Sequence, residues 1–376
     1  MLRVGIISAA WGGFAHLPAW RALPGVEVTA ICTSRRETAE AAAARLGIAR
    51  PFWDAQAMCA DPDLDIIDCG TRPAVRLPMI LAALAHGKHV YNSAPHAPHW
   101  QGALAIDAAW RQSRGAVGTV DAFSQHLPAL RHMADLVAQG FIGTPLGGGC
   151  SFNLSLFNRP DPRFAYNWFA DPGAGVSALR NNGTHLLHML LPMLVQVAGP
   201  VRRVTGKERR LLDVWQFADG TSIKPGNTDH VDALLEFASG LVLPMQASWS
   251  MSGHSGWSID LFGTEGRLLA RSPTFPAARE CTLHGAKAGS SLEPLAIPED
   301  YYAAQGIGID ADAFPPPSYP MALTMQAMLA AIRGEGRAAP DFAAALDVET
   351  VIEAIRLSGE RGEWVSVASI ERTPQA

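Results

Sequence analysis

The chain has 376 residues, 48% hydrophobic and only 17% charged, with a formal net charge of -5. At about 150 residues per domain, this length predicts two domains with real cores and excludes a peptide or a disordered chain. The low charge implies surface buried between subunits, and 30 basic residues scattered along an acidic chain give no concentrated positive field for a nucleic-acid backbone.

In chain order, β-branched runs at 3–7 (RVGII), 26–32 (VEVTAIC), 65–69 (DIIDC), 88–91 (KHVY) and 116–120 (AVGTV) alternate with Ala- and Leu-rich helical segments. Strand, helix, strand at this spacing predicts parallel strands joined by right-handed crossovers, a doubly wound α/β sheet. Pro24-Gly25, Gly47 and Gly87 close the intervening helices, and Pro62 precedes a strand.

After Val120 the texture changes. A helix with apolar residues at Leu130, Met133, Leu136 and Val137 runs to Gly140, and Gly and Pro cluster at 143–149. The boundary is placed near 122, giving domains 1–122 and 123–376. In the second, strand-like stretches at 146–154, 201–205, 231–238, 241–249, 257–262 and 267–271 follow one another with few helices. Hairpins such as Ser239-Gly240 imply a mostly antiparallel sheet, hence an α+β domain. Segment 272–320, rich in Pro, Gly and Ala, reads as irregular; helices return at 318–333 and 345–358, and WVSVA is the last strand.

Cys32, Cys59, Cys69, Cys150 and Cys281 form no CxxC pair and are odd in number, which fits buried thiols in a reducing compartment. The opening MLRVGIISAAWGG is too short in apolar residues and too Gly-rich for a signal peptide. The longest apolar stretch, 185–199, is broken by His188 and Pro192 and falls short of the ~20 residues that span a bilayer. A cytoplasmic protein without a membrane partner is expected.

A dinucleotide-binding turn needs glycine where the chain bends, where backbone meets pyrophosphate and where helix packs on strand. The corresponding positions after RVGII are Ser8, Ala10 and Gly13, so only the third glycine is kept. The turn residues Ser8, Ala10, Trp11, Gly12 and Gly13 are nonetheless mostly small and allow close backbone approach. The second strand ends in Cys32-Thr33-Ser34-Arg35-Arg36, with no acid before Glu37 to accept from a ribose 2′-hydroxyl. Hydroxyl and guanidinium groups suit a 2′-phosphate, so NADP is favoured, with NAD as the alternative.

The chain resembles the Gfo/Idh/MocA oxidoreductases, relatives of glucose-fructose oxidoreductase and inositol dehydrogenase. The resemblance covers nearly its whole length and rests on VGIISAAWGGFAHLPAW, DPDLDIIDCGT, LAALAHGKHVYNSAP, LVAQGFIGTPLGG, NNGTHLLHML and IDLFGTEGRLL. It implies a Rossmann domain followed by a substrate-binding α+β domain whose open sheet faces the nicotinamide and supports oligomerisation, as a homodimer or homotetramer. Thr71, Arg72, Asn92 and Pro95 would then lie on the nicotinamide side of the cofactor site.

Two departures matter. Where the family usually carries Glu-Lys-Pro, this chain has Ser93-Ala94-Pro95, without the lysine or the acid. The family's Asp-x-Gly-x-His becomes Asn181-Asn182-Gly183-Thr184-His185. An amide hydrogen-bonds a hydroxyl but is no base, so the resemblance leaves His185 as acid or base, with Asn181 orienting the substrate.

Phe164, Tyr166, Trp168, Trp249 and Trp257 either stack on a substrate ring or fill the core. Tyr166, Trp168 and Arg180 join Asn181 as candidate substrate residues, and Arg76 reads as surface charge. His185 with His188, and His96 with His99, have helical spacing but no nearby Cys or carboxylate to complete a ligand set, so no metal is expected. The expected activity is hydride transfer between a nicotinamide and a hydroxyl-bearing carbon of a sugar, cyclitol or glycoside. The alternatives are a non-catalytic nicotinamide- or sugar-binding protein and a lyase or epimerase acting through transient oxidation.

Overall fold

The computed structural model describes residues 1–113, 115–158, 167–217, 219–253, 256–275, 277–304 and 306–373. The chain divides into two compact units: residues 1–126 with 303–347 and Thr373, and residues 127–302 with 348–372.

The first unit is built on β1 (Leu2–Ile7), β2 (Val26–Cys32), β3 (Arg50–Phe52), β4 (Ile66–Cys69), β5 (His89–Ser93) and β6 (Gly118–Asp121), in the order β3-β2-β1-β4-β5-β6. Every neighbouring pair is parallel. Consecutive residues such as Ile6 and Ile7, Ile31 and Cys32, and Ile66 and Ile67 are all buried, as expected of strands covered on both faces. The crossovers carry α1 (Leu17–Arg21), α2 (Arg36–Leu46), α3 (Ala55–Ala60), α4 (Pro73–Ala85) and α5 (Trp100–Gln112). Strand β3 escapes the sequence reading because three residues, one of them Pro51, carry no alternation.

In the second unit α6 (Pro128–Ala138) precedes β7 (Pro145–Asn153), and α7 (Thr184–Ala198) precedes β8 (Val201–Arg209). There follow the short pair β9 (Trp215–Gln216) and β10 (Ser222–Ile223), then β11 (His230–Phe237), β12 (Val242–Ser248), β13 (Gly256–Gly263), β14 (Gly266–Ser272), β15 (Thr282–Lys287) and β16 (Glu293–Leu295). With β17 (Val365–Ser366) they form a nine-stranded sheet ordered β16-β15-β14-β13-β7-β12-β11-β8-β17. Only the β7–β12 pair is parallel; the others are antiparallel.

Two expectations need correction. The stretch 272–320 is not wholly irregular: β15 and β16 extend the sheet beyond β14, and Gly285 and Pro294 interrupt the alternation that would have revealed them. Nor does everything after 122 belong to the second unit. Helix α8 (Ser318–Ile332) lies in the first, where Ser318 Oγ donates to the Ala15 carbonyl at 2.7 Å, and α9 (Phe342–Arg361) divides between the units after Asp347. Apolar spacing marks α8 as a buried helix but cannot say which sheet it covers. All five cysteines are buried and unpaired, and no described helix is long and apolar enough to cross a membrane.

Candidate active site

The turn after β1 begins at Ser8, whose φ of 138° lies in the region that favours glycine. The Ala10 amide donates to Ser8 Oγ at 3.2 Å, and the chain then enters a π-helical turn, Gly12–His16, which continues into α1. Close packing against the sheet falls on Gly12 rather than on Gly13. A Cβ at Gly12 would lie 2.7 Å from Ile6 Cγ2, and one at Gly70, just beyond β4, would lie 3.1 Å from the Gly12 Cα. A Cβ at Gly13 would meet the flexible Leu46 side chain. This crossing at the β1/β4 switch point is the close helix-on-strand packing that one glycine of a dinucleotide-binding turn serves. Ala10 is exposed and Trp11 half-buried, its ring 6.2 Å from that of Phe14.

At the end of β2, Thr33 Oγ1 lies 2.6 Å from Thr38 Oγ1, so this hydroxyl is engaged within the loop. Ser34, Arg35 and Arg36 are exposed. Arg36 pairs with Glu40 at 2.8 Å and sits over the Trp53 ring, whereas the Arg35 side chain makes no bond among the described residues. Arg45, which the sequence reading passed over, reaches from α2 to the Ala9 carbonyl at 3.4 Å.

The loops beyond β4 and β5 hold Thr71, half-buried, and Arg72, exposed at the N-cap of α4. Asn92 is buried; its Nδ2 donates to the His96 carbonyl at 2.8 Å, and its Oδ1 has no partner among the described residues. Pro95 follows a cis peptide bond. The expectation of surface charge fails at Arg76, which is 1% exposed. Its guanidinium donates to the carbonyls of Thr71 at 2.7 Å, Ser93 at 2.5 Å and Pro95. Spacing placed it on a helix but could not reveal that two loops fold over its end.

Beneath the turn lies a polar cluster that the sequence did not disclose. His16 Nδ1 is 2.8 Å from Asp68 and Nε2 is 3.1 Å from Asp121, while Trp20 Nε1 and Tyr91 Oη donate to the same carboxylates at 2.7 and 2.6 Å. Burial presses the imidazole towards neutrality, but the two carboxylates prevail and hold its pKa at about 10. The signal available was two aspartates at strand positions otherwise filled by apolar residues.

In the second unit Leu179–Gly183 forms a π-helical turn that runs straight into α7. Asn181 and His185, four residues apart, share one face. Asn181 is half-buried and its side chain bonds to none of the described residues; His185 is 7% exposed, its ring 5.2 Å from Phe275 and 6.4 Å from Phe152. The neighbours hold structure: Asn182 Nδ2 donates to the Phe152 and Ser248 carbonyls, and its Oδ1 accepts from Trp249 Nε1 at 3.2 Å. Arg180, expected to meet substrate, has its charge met by the buried Glu349 carboxylate at 2.7 Å. His188 is buried one turn on, and burial, with the charge of His185, depresses its pKa to about 3.

Trp168 is half-buried against the cluster of Phe157, Phe169, Trp215 and Trp249, while Tyr166 and Phe164 lie outside the described residues. Trp249 and Trp257 are core residues. No group of three or more potential metal ligands occurs among the described residues.

Comparison with known proteins accords with this geometry. A family model described as an oxidoreductase family with an NAD-binding Rossmann fold matches residues 2–135, and the GFO/IDH/MocA C-terminal domain matches residues 130–269. Levoglucosan dehydrogenase of Pseudarthrobacter phenanthrenivorans is 24% identical over 98% of this chain and 99% of its own. D-apiose dehydrogenase of Paraburkholderia graminis is 31% identical over 38% of this chain and 37% of its own. The solved levoglucosan dehydrogenase in complex with NADH and L-sorbose superposes with a TM-score of 0.84 at 22% identity, covering 98% of this chain and 99% of that one. With both domains matched in order and the phosphate turn crossing β4 at Gly12 and Gly70, the chain belongs to the Gfo/Idh/MocA family of NAD-binding oxidoreductases.

Proposed function

We propose that the protein transfers a hydride between a nicotinamide, NADP in preference to NAD, and a hydroxyl-bearing carbon of a sugar, cyclitol or glycoside. The observation that carries this reading is the shared helix face of Asn181 and His185, beside which Arg180 and Asn182 are committed to structure. The sugar-acting names of the relatives support the substrate class.

The turn from Ser8 to Gly13 would present backbone amides to the pyrophosphate, and Gly12 and Gly70, lacking a Cβ, let the turn lie close against Ile6 and the end of β4. Ser34 and Arg35 would meet the 2′-phosphate. Thr71, Arg72, Asn92 and Pro95 would line the nicotinamide side, where the unpartnered Asn92 Oδ1 suits a donor such as the carboxamide. The nicotinamide, when bound, takes up or supplies the hydride. A ring nitrogen of His185 would take the hydroxyl proton as the alcohol is oxidised, and return it in reduction. Asn181 would hold a neighbouring hydroxyl through its amide, with Trp168 against the substrate ring.

The outer face of the second sheet also supports a homo-oligomer. Leu234, Val242 and Phe262 are exposed there, in register with the polar chain Asn153–Gln246–Asp232. A cytoplasmic setting agrees with the five free thiols, whose pKa values burial pushes upward.

The test is to screen anhydrosugars, aldoses and cyclitols with each cofactor, following the reduced-nicotinamide absorbance. A change with at least one polyhydroxylated compound is expected, larger with NADP. Bound cofactor with no chemistry on any of them would overturn the proposal, and product formation without net absorbance change would mean transient oxidation.

A further inference from the structure

The buried Arg76 has no part in the chemistry just described. It stands in the first turn of α4, and its three carbonyl acceptors belong to two loops: Thr71 follows β4, while Ser93 ends β5 and Pro95 lies just beyond it. Strands β4 and β5 are parallel neighbours, so both loops leave the same carboxyl edge of the sheet.

In a sheet of order 3-2-1-4-5-6, the dinucleotide crosses the switch point at this edge. The end of β2 reads the adenosine ribose, which leaves the nicotinamide half to the loops after β4 and β5. Those are the loops that Arg76 joins. A guanidinium is a planar fork with five donors and can hold several carbonyls in a fixed fan; an ammonium is a point donor on a flexible stem. Burying a cation is costly unless such bonds compensate it, and two of the three carbonyls, those of Thr71 and Pro95, lie outside regular structure. With Ala94 between two of the acceptors, this loop contributes backbone shape and no charged side chain of its own.

We propose that Arg76 is a positioning residue for the nicotinamide half of the cofactor, setting the β4 and β5 loops through the carbonyls of Thr71, Ser93 and Pro95. The inference rests on NAD binding by the first unit and goes beyond it in assigning the two halves of the cofactor different dependence on one buried side chain.

The test compares NADPH with 2′-phospho-ADP-ribose, which lacks the nicotinamide, and NADH with ADP-ribose in the same way, by calorimetric titration of the parent chain, Arg76→Lys and Arg76→Met. In both variants the fragment without nicotinamide should bind within about twofold of the parent and the whole cofactor about tenfold more weakly. Should Arg76→Met fail to fold, a folded Arg76→Lys with that same split still supports the proposal. Equal losses for fragment and whole cofactor, or parental affinity for both, would overturn it. A parent chain that bound neither cofactor and neither fragment would remove the cofactor and the proposal together, an outcome distinct from equal losses in a variant.

Discussion

His16 and Asp68 are both fully buried, and the imidazole Nδ1 lies 2.8 Å from the Asp68 carboxylate, with Asp121 3.1 Å from the other ring nitrogen. The first helix of the nucleotide turn is thereby tied to β4 and β6 through one side chain. Because the folded pKa, about 10, lies above the ordinary value of 6.5, the contribution is fully present below pH 6.5 and is lost as pH rises through 10. Urea midpoints should therefore fall between these limits in the parent chain. His16→Phe should be about 3–5 kcal/mol less stable near neutrality, because two carboxylates stay buried without their cation, and should lack this part of the pH slope. A variant whose stability matched the parent across that range would remove the ion cluster from the account.

Ser8 occupies a backbone conformation, φ 138°, that costs a residue with a Cβ on the order of 1–3 kcal/mol. Glycine adds unfolded-state entropy and forgoes the Ser8 Oγ bond to the Ala10 amide, so Ser8→Gly should gain only about 1 kcal/mol net. Ser8→Val should lose more than that. Thermal denaturation of the three proteins gives the order, and a Gly variant less stable than the parent contradicts it.

The arginines at the end of β2 should act unequally. Arg36 is held by Glu40 and Trp53, whereas Arg35 makes no bond among the described residues. Arg35→Ser should weaken NADP about tenfold and leave NAD almost unchanged, with a smaller effect from Arg36→Ala. Titration with both cofactors decides, and equal losses of NADP affinity would show that the ion pair does not hold Arg36 back.

His185→Ala should lower turnover by about 10² to 10⁴ at nearly unchanged cofactor affinity, as expected for loss of an acid-base group. Asn181→Ala should act mainly on KM, by about tenfold, as loss of one hydrogen bond to substrate. Steady-state kinetics separates the two, and near-parental turnover in His185→Ala would exclude the imidazole from proton transfer.

On the outer sheet face, Phe262→Glu combined with Leu234→Glu should separate the proposed subunits by burying charge where apolar contact is expected. Sedimentation should show an oligomer for the parent and a single chain for the variant. A parent that sediments as a single chain at micromolar concentration would end the proposal.

Most of the order of elements was legible in the amino-acid pattern, with β3, β15 and β16 among the strands it missed. The runs RVGII, VEVTAIC and DIIDC are continuous because parallel strands bury both faces, and every strand expected in the second unit appears within a few residues of its place. Asn181 and His185 came from the resemblance to the family motif and not from spacing, and the structure adds that the turn holding Asn181 runs straight into the helix of His185. Pairings between residues distant in sequence were not legible in the pattern. Arg76 and Arg180 look alike as charged residues on helices, yet one meets backbone carbonyls 17 and 19 residues onward and the other a carboxylate 169 residues away. His16 became a buried cation only because the strands carry Asp68 and Asp121 to either side of it, 52 and 105 residues further along. Periodicity records which face of an element is apolar. The cost of burying a charge is met by partners that periodicity does not name, and the fold alone brings those partners within hydrogen-bonding distance.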